Sequence, residues 1–123
     1  ALQKRGGGAI LNVSSIAAVG FAPYEAPEYA AAKAAVVRLT AALGTLADDG
    51  VRVNCICPDW VETERSVADP DAPATLVPAE AIARATVRLI VDERLAGRVL
   101  LCPHDGQWGL VPLDEAPAVE PFA

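Results

Sequence analysis

Methionine is absent from the chain, histidine occurs once, and aromatic residues make up 5% of it. Without Met, Ala1 is no translation start, and the opening residues carry neither the apolar region nor the cleavage site of a secretory signal. The expectation is a fragment of a longer protein. Cysteine is scarce: Cys55, Cys57 and Cys102 are an odd number, which excludes a disulfide framework and points to a reducing, cytoplasmic setting. Clusters of Lys and Arg are missing. Ten basic against sixteen acidic residues give a net charge of −6, so no phosphate footprint exists and nucleic acid is excluded as a partner. Also missing is any uncharged apolar run of the roughly 18–20 residues that a membrane span needs, so no membrane contact is expected.

Apolar residues, by contrast, are plentiful. Hydrophobic side chains are 53% of the 123 residues and charged ones 21%, with a mean hydropathy of +0.31. Disordered chains show the opposite balance, and this length holds one compact core but not two.

Glycine and proline punctuate the chain. After Gly6-Gly7-Gly8, the apolar run Ala9–Val13 has the length of a buried strand and ends at Ser14-Ser15. Pro27 and Glu28 suit the first turn of a helix, which the spacing of Ala34, Val36, Leu39, Leu43 and Leu46 carries to about Asp48, where Gly50 stops it. Val51–Cys57 is a second strand, closed by Pro58. The next twenty residues, 59–78, are rich in Pro and acids and are expected as a loop or lid. A second helix over Ala79–Glu93 presents Ile82, Ala85, Thr86, Leu89 and Ile90 on one side, and Arg98–Cys102 is the third strand. Residues 1–108 form the expected domain, and 109–123 an acidic, proline-containing tail on the surface. Apolar strands alternating with amphipathic helices predict an α/β fold: three parallel strands, two main helices, right-handed crossovers, and a first strand whose outer edge is bare.

Three sets of residues carry chemistry. Tyr29 and Lys33 lie four apart on the first helix, which places a phenol beside an ammonium. A phenol is a poor base at neutral pH, and a nearby cation favours its ionised form. Ser15 sits at the carboxyl end of a strand, where ligands gather in open α/β sheets. Cys55, Cys57, Cys102 and His104 would suffice as zinc ligands. The Cys55-Ile56-Cys57 run is apolar, however, so these cysteines read as core and no metal is expected. Ser15, Asp92 and His104 follow the chain order of an α/β-hydrolase triad but lack its Gly-x-Ser-x-Gly elbow. His104 then reads as a surface loop residue, and Trp60 and Trp108 as pocket walls or packing groups.

The conjunction of Asn12-Val13-Ser14-Ser15, Tyr29-Ala30-Ala31-Ala32-Lys33, the stretch from Val51 through Pro58 to Thr63, and Leu95-Ala96-Gly97-Arg98-Val99-Leu100 resembles the short-chain dehydrogenase/reductase family over residues 6–108. Cys57-Pro58-Asp59-Trp60-Val61-Glu62-Thr63 is similar to the 15-hydroxyprostaglandin dehydrogenase-like branch. The resemblance implies the C-terminal part of a Rossmann-type, doubly wound parallel sheet. It implies hydride transfer between NAD or NADP and a secondary alcohol or ketone, and a homo-oligomer that pairs through the Tyr29 helix. Ser15 would bind the reacting oxygen, and Tyr29 would be the acid/base. Lys33 would hold the nicotinamide ribose and bring the phenol toward the neutral range. Asn12, Pro58, Val61 and Thr63 would join Tyr29 and Lys33 in contacting the cofactor.

The departures from the family pattern are specific. No Gly-rich turn follows a strand to receive a pyrophosphate, since Gly6-Gly7-Gly8 precedes one. Asp59 stands where the family has Gly, which predicts a strained backbone and a carboxylate facing the phosphates. Ser15 and Tyr29 are also one residue further apart than the pattern expects. The alternative reading is an inactive, self-associating module.

Overall fold

The computed structural model describes residues 1–113 and 121. Its element order is β1 (Gly8–Val13), α1 (Pro27–Ala42), β2 (Val51–Pro58), α2 (Glu64–Val67), α3 (Ala79–Val91), β3 (Val99–Cys102) and β4 (Gly109–Leu110). The strands form one sheet in the order β1-β2-β3-β4. β1 and β3 both run parallel to β2, from Gly8 opposite Val51 to Val13 opposite Ile56, and from Cys55 opposite Val99 to Pro58 opposite Cys102. β4 turns back antiparallel on β3, so the sheet is mixed and has four strands where three parallel ones were expected. A two-residue strand is too short to leave a periodic trace in the sequence. It lies inside the expected tail, whose acids Asp114, Glu115 and Glu120 fall outside the described residues.

Alternation along β2 divides the core. Cys55 and Cys57 face one side with Val99 and receive Val36 and Val37 of α1. Ile56 faces the other side with Cys102 and receives Leu89, Ile82 and Ala85 of α3. The two helices thus cover opposite faces, the doubly wound arrangement. Both parallel steps move the same way across the sheet, so crossovers on opposite faces have opposite hands. Both cannot be right-handed, as the general rule predicts.

α1 ends at Ala42 and continues as a 3-10 segment, Leu43–Asp49, closed by Gly50 at φ +73. Its inner side is Val36, Val37 and the fully buried Thr40, while Leu39, expected on the apolar face, is 55% exposed. The combined run Pro27–Asp49 is long and apolar enough, by length and composition alone, to cross a membrane. Gly44 in that run lies against Gly97 (φ +68), where a Cβ would stand 2.8 Å from the Gly44 Cα. Only glycine fits there.

α3 is tied down at its C-terminal end by two side chains of β2. Asn54 Nδ2 donates to Leu89 O (3.1 Å) and Leu95 O (2.8 Å), and its Oδ1 accepts from Arg98 N (3.0 Å). Arg52 donates to Ile90 O (2.6 Å) and Asp92 O (3.1 Å), a cation at the negative end of the helix dipole. β1 is an edge strand, with Ile10 42% and Val13 59% exposed, as expected for a bare apolar edge.

Candidate active site

The carboxyl end of β1 is stitched to α1. Ser14 N donates to Ile56 O (2.8 Å) and Ser14 Oγ to Lys33 O (2.8 Å), while Lys33 Nζ reaches Val13 O at 3.3 Å. These bonds fix α1 in rotation, so Tyr29, one turn before Lys33, stands over the strand end. The Lys33 ammonium is 5.7 Å from the Tyr29 ring centroid, and Tyr24 stacks on the same ring at 6.3 Å. Ser15 Oγ accepts from Ala17 N at 3.2 Å, capping the 3-10 turn Ile16–Ala18 and leaving its hydroxyl proton available.

Ser15, Tyr24 and Tyr29, from α1 and the stretch between β1 and α1, line a cavity of about 890 Å³ together with Asp59, Trp60 and Arg65 from the segment after β2. The structure therefore has Ser15 and Tyr29 line one cavity despite the additional residue between them. Lys33 lies behind Tyr29. Pro58 ends β2, Val61 bridges to Val77, and Thr63 caps α2 by accepting from Ser66 N (3.2 Å); none of the three lines the cavity, although their neighbours Asp59, Trp60 and Arg65 do. Asn12 is spent on packing: its Nδ2 donates to Thr40 Oγ1 at 2.9 Å. Trp60 walls the cavity, whereas Trp108 packs on the α3 side of the sheet. Arg65, which sequence reasoning passed over, sits on a four-residue helix too short for any periodicity to reveal.

The expected strain at Asp59 is not found, because every positive φ among the described residues belongs to glycine. Its carboxylate is engaged by His104: Nδ1 lies 2.6 Å and the backbone N 3.3 Å from Oδ2. His104 is thus no free surface residue, and the hydrogen bond to Asp59 raises its pKa above the ordinary histidine value. The hydrolase triad is not assembled. Asp92 instead binds Arg94 (2.7 Å), whose guanidinium holds the carboxyl well below the usual carboxylate range. The zinc set is divided by the sheet, with Cys55 and Cys57 on one face and Cys102 on the other. Contact with Cys55 and burial hold the Cys57 thiol well above its ordinary range, and burial pushes Cys102 up to about 11, so these thiols stay neutral.

Residues 1–101 match the family model described as enoyl-(acyl carrier protein) reductase. The human "Dehydrogenase/reductase SDR family member 4" is 42% identical over 66 residues, 53% of this chain and 23% of that protein. The chain belongs to the short-chain dehydrogenase/reductase family. Another relative is "Uncharacterized oxidoreductase YgfF" of Escherichia coli (strain K12), 40% identical over 106 residues that make up 76% of this chain and 43% of that one. Among solved structures, 7 alpha-hydroxysteroid dehydrogenase complexed with NADH and 7-oxo glycochenodeoxycholic acid superposes with a TM-score of 0.73 at 28% identity, covering 85% of this chain and 46% of that one. The short-chain dehydrogenase/reductase chain described here spans less than half the length of these relatives. Its fold is theirs, a Rossmann-type α/β sheet.

Proposed function

We propose that this chain carries the proton-transfer corner of an NAD- or NADP-dependent oxidoreductase acting on a secondary alcohol or ketone. The observation that supports the reading is that Ser15 and Tyr29, from different elements, line one cavity with the Lys33 ammonium 5.7 Å from the Tyr29 ring. Ser15 uses its free hydroxyl proton to hold the reacting oxygen. Tyr29 takes the alcohol's proton in oxidation and returns it in reduction. A nicotinamide dinucleotide bound beside them would accept or supply the hydride.

The residues present fit one end of that cofactor. Lys33 Nζ uses one of its three donors on Val13 O and keeps two for ribose hydroxyls. The pyrophosphate end has no receiver among the described residues, because Gly7 (φ +119) is packed on the Gly50 carbonyl as a structural turn. Replacing Tyr29 by Phe in the longest natural form of the protein that carries this chain tests the reading. Turnover is expected to be lost with the fold intact. The finer place in the 15-hydroxyprostaglandin dehydrogenase-like branch rests on the Cys57–Thr63 stretch and on a C-terminal tail that replaces the family's common Asp-Gly-Gly ending. A reducing cytoplasm suits three free, buried thiols.

A second reading is a catalytically idle module that self-associates. It is favoured by the bare edge of β1 and by Leu39, 55% exposed on α1. Oligomers are expected under both readings, through the Tyr29 helix, and light scattering on a sizing column measures them. Saturable NADH or NADPH binding by the oligomer argues for the enzyme, and an oligomer that binds neither argues for the module.

A further inference from the structure

The excursion from Asp59 to Pro78 contributes Asp59, Trp60, Arg65, Ser66 and Asp69 to the lining of the cavity that holds Ser15 and Tyr29, and it is fastened at its root. Asp59 N donates to Cys102 O (3.1 Å), Glu62 N to Val77 O (2.7 Å) and Val77 N to Trp60 O (2.7 Å). The remaining fastening is the side chain of Asp59, whose Oδ2 accepts from both His104 N and His104 Nδ1. The two side chains are 19% and 25% exposed, so water competes only in part for the bond. The turn that presents His104 is itself fixed, because Trp108 packs into the core beneath α3 and donates Nε1 to Pro103 O (3.3 Å). A rigid path therefore runs from the core through Trp108, Pro103 and His104 to Asp59 and Trp60.

We propose that His104, acting through Asp59, is a positioning residue of the cavity: the pair clamps the root of the 59–78 segment to the end of β3 and so sets where Trp60 and Arg65 stand against Ser15 and Tyr29. In the imidazolium the bond is an ion pair; the neutral ring keeps its Nδ1 proton toward the carboxylate, so titration removes the charge from the bond and not the bond itself. Asp59 facing the ring and Asp105 beside it are the charged groups acting on His104 among the described residues, and both favour the imidazolium. A pKa raised in the folded state means that the bond contributes fully below the ordinary histidine value. The added stability of the charged form is lost as pH climbs through the raised one. Above that point a neutral hydrogen bond holds the wall less firmly, while the Ser15–Tyr29–Lys33 corner, on other elements, keeps its place. The importance of this wall for turnover rests on the cavity being the substrate site; the clamp itself does not.

The chain has one histidine, so its imidazole C2 proton gives an unambiguous NMR titration. His104 is expected to titrate above the ordinary value and to return toward it in Asp59→Asn. Amide exchange at Glu62 and Val77, corrected for its intrinsic pH dependence, is expected to quicken as the bond loses its charge, by less than on removal of the ring. In His104→Ala it is fast at every pH. In His104→Asn, whose side-chain amide donates to Asp59 regardless of pH, slow exchange returns and the pH dependence disappears. In the longest natural form, His104→Ala raises KM several-fold with kcat little changed. An ordinary His104 titration unaffected by Asp59→Asn overturns the proposal, as does exchange at Glu62 and Val77 that ignores both pH and His104→Ala. The titration and exchange need no turnover, so a failure of the hydride-transfer reading is told apart from a failure of the clamp.

Discussion

The two sides of the cavity are built differently. Ser15, Tyr29 and Lys33 come from consecutive elements and are held by short-range stitching, Ser14 to Lys33 and Lys33 back to Val13. Asp59 and His104 lie 45 residues apart and meet only because β2 and β3 are parallel neighbours whose carboxyl ends emerge side by side. The first side has the parts for chemistry. The second has the parts for holding a wall in place, and one of them is a titrating bond. Under the proposed function the labour is divided: the groups that would move protons sit on the strand–helix corner, and the other lining groups sit on a loop segment fastened at its root.

The sharpest way to break that division is at the first side. Tyr29→Phe removes the proton donor and acceptor and should lower kcat about 10²- to 10⁴-fold, with circular dichroism unchanged. Ser15→Ala removes a hydrogen bond to the reacting oxygen and should lower kcat about 10²-fold, read in the same steady-state assay.

Changes beneath the second side should appear as stability rather than rate. Asn54→Ala strands Arg98 N and takes a donor from Leu89 O and Leu95 O, and should destabilise by about 2–3 kcal/mol, measured by urea unfolding. Gly97→Ala forces a Cβ against Gly44 at a positive φ and should cost about 1–3 kcal/mol in the same experiment. The smallest effect is on pH dependence. Wild-type stability should decline as pH rises through the raised His104 value, and Asp59→Asn should flatten that decline, seen as melting temperatures across the range.

The same division explains what the sequence made visible. β1, β2, α3 and the stop at Gly50 were legible because each has a local signature: an apolar run, an amphipathic period, or a positive-φ residue at a helix end. Tyr29 and Lys33 were legible because helical spacing alone puts them on one face. β4 was not, since two residues have no period, and its partner β3 lies across a turn. The opposite hands of the two crossovers were hidden as well, because they depend on which face each helix chooses. Leu39 looked like core by spacing, yet α1 meets the sheet through Val36, Val37 and Thr40. Asp59 read as a defect when taken alone. Its partner His104 gives the carboxylate a bond, and that pairing exists only in three dimensions.

The most direct test of the central claim is the turnover of Tyr29→Phe against wild type, in the longest natural form of the protein, with NADH or NADPH and a panel of ketones. A kcat lowered at least about a hundredfold is expected, in a protein that still binds cofactor and melts as the wild type does. Full turnover by the Phe variant would contradict it, and the Ser15–Tyr29–Lys33 corner would then be scaffold rather than catalyst.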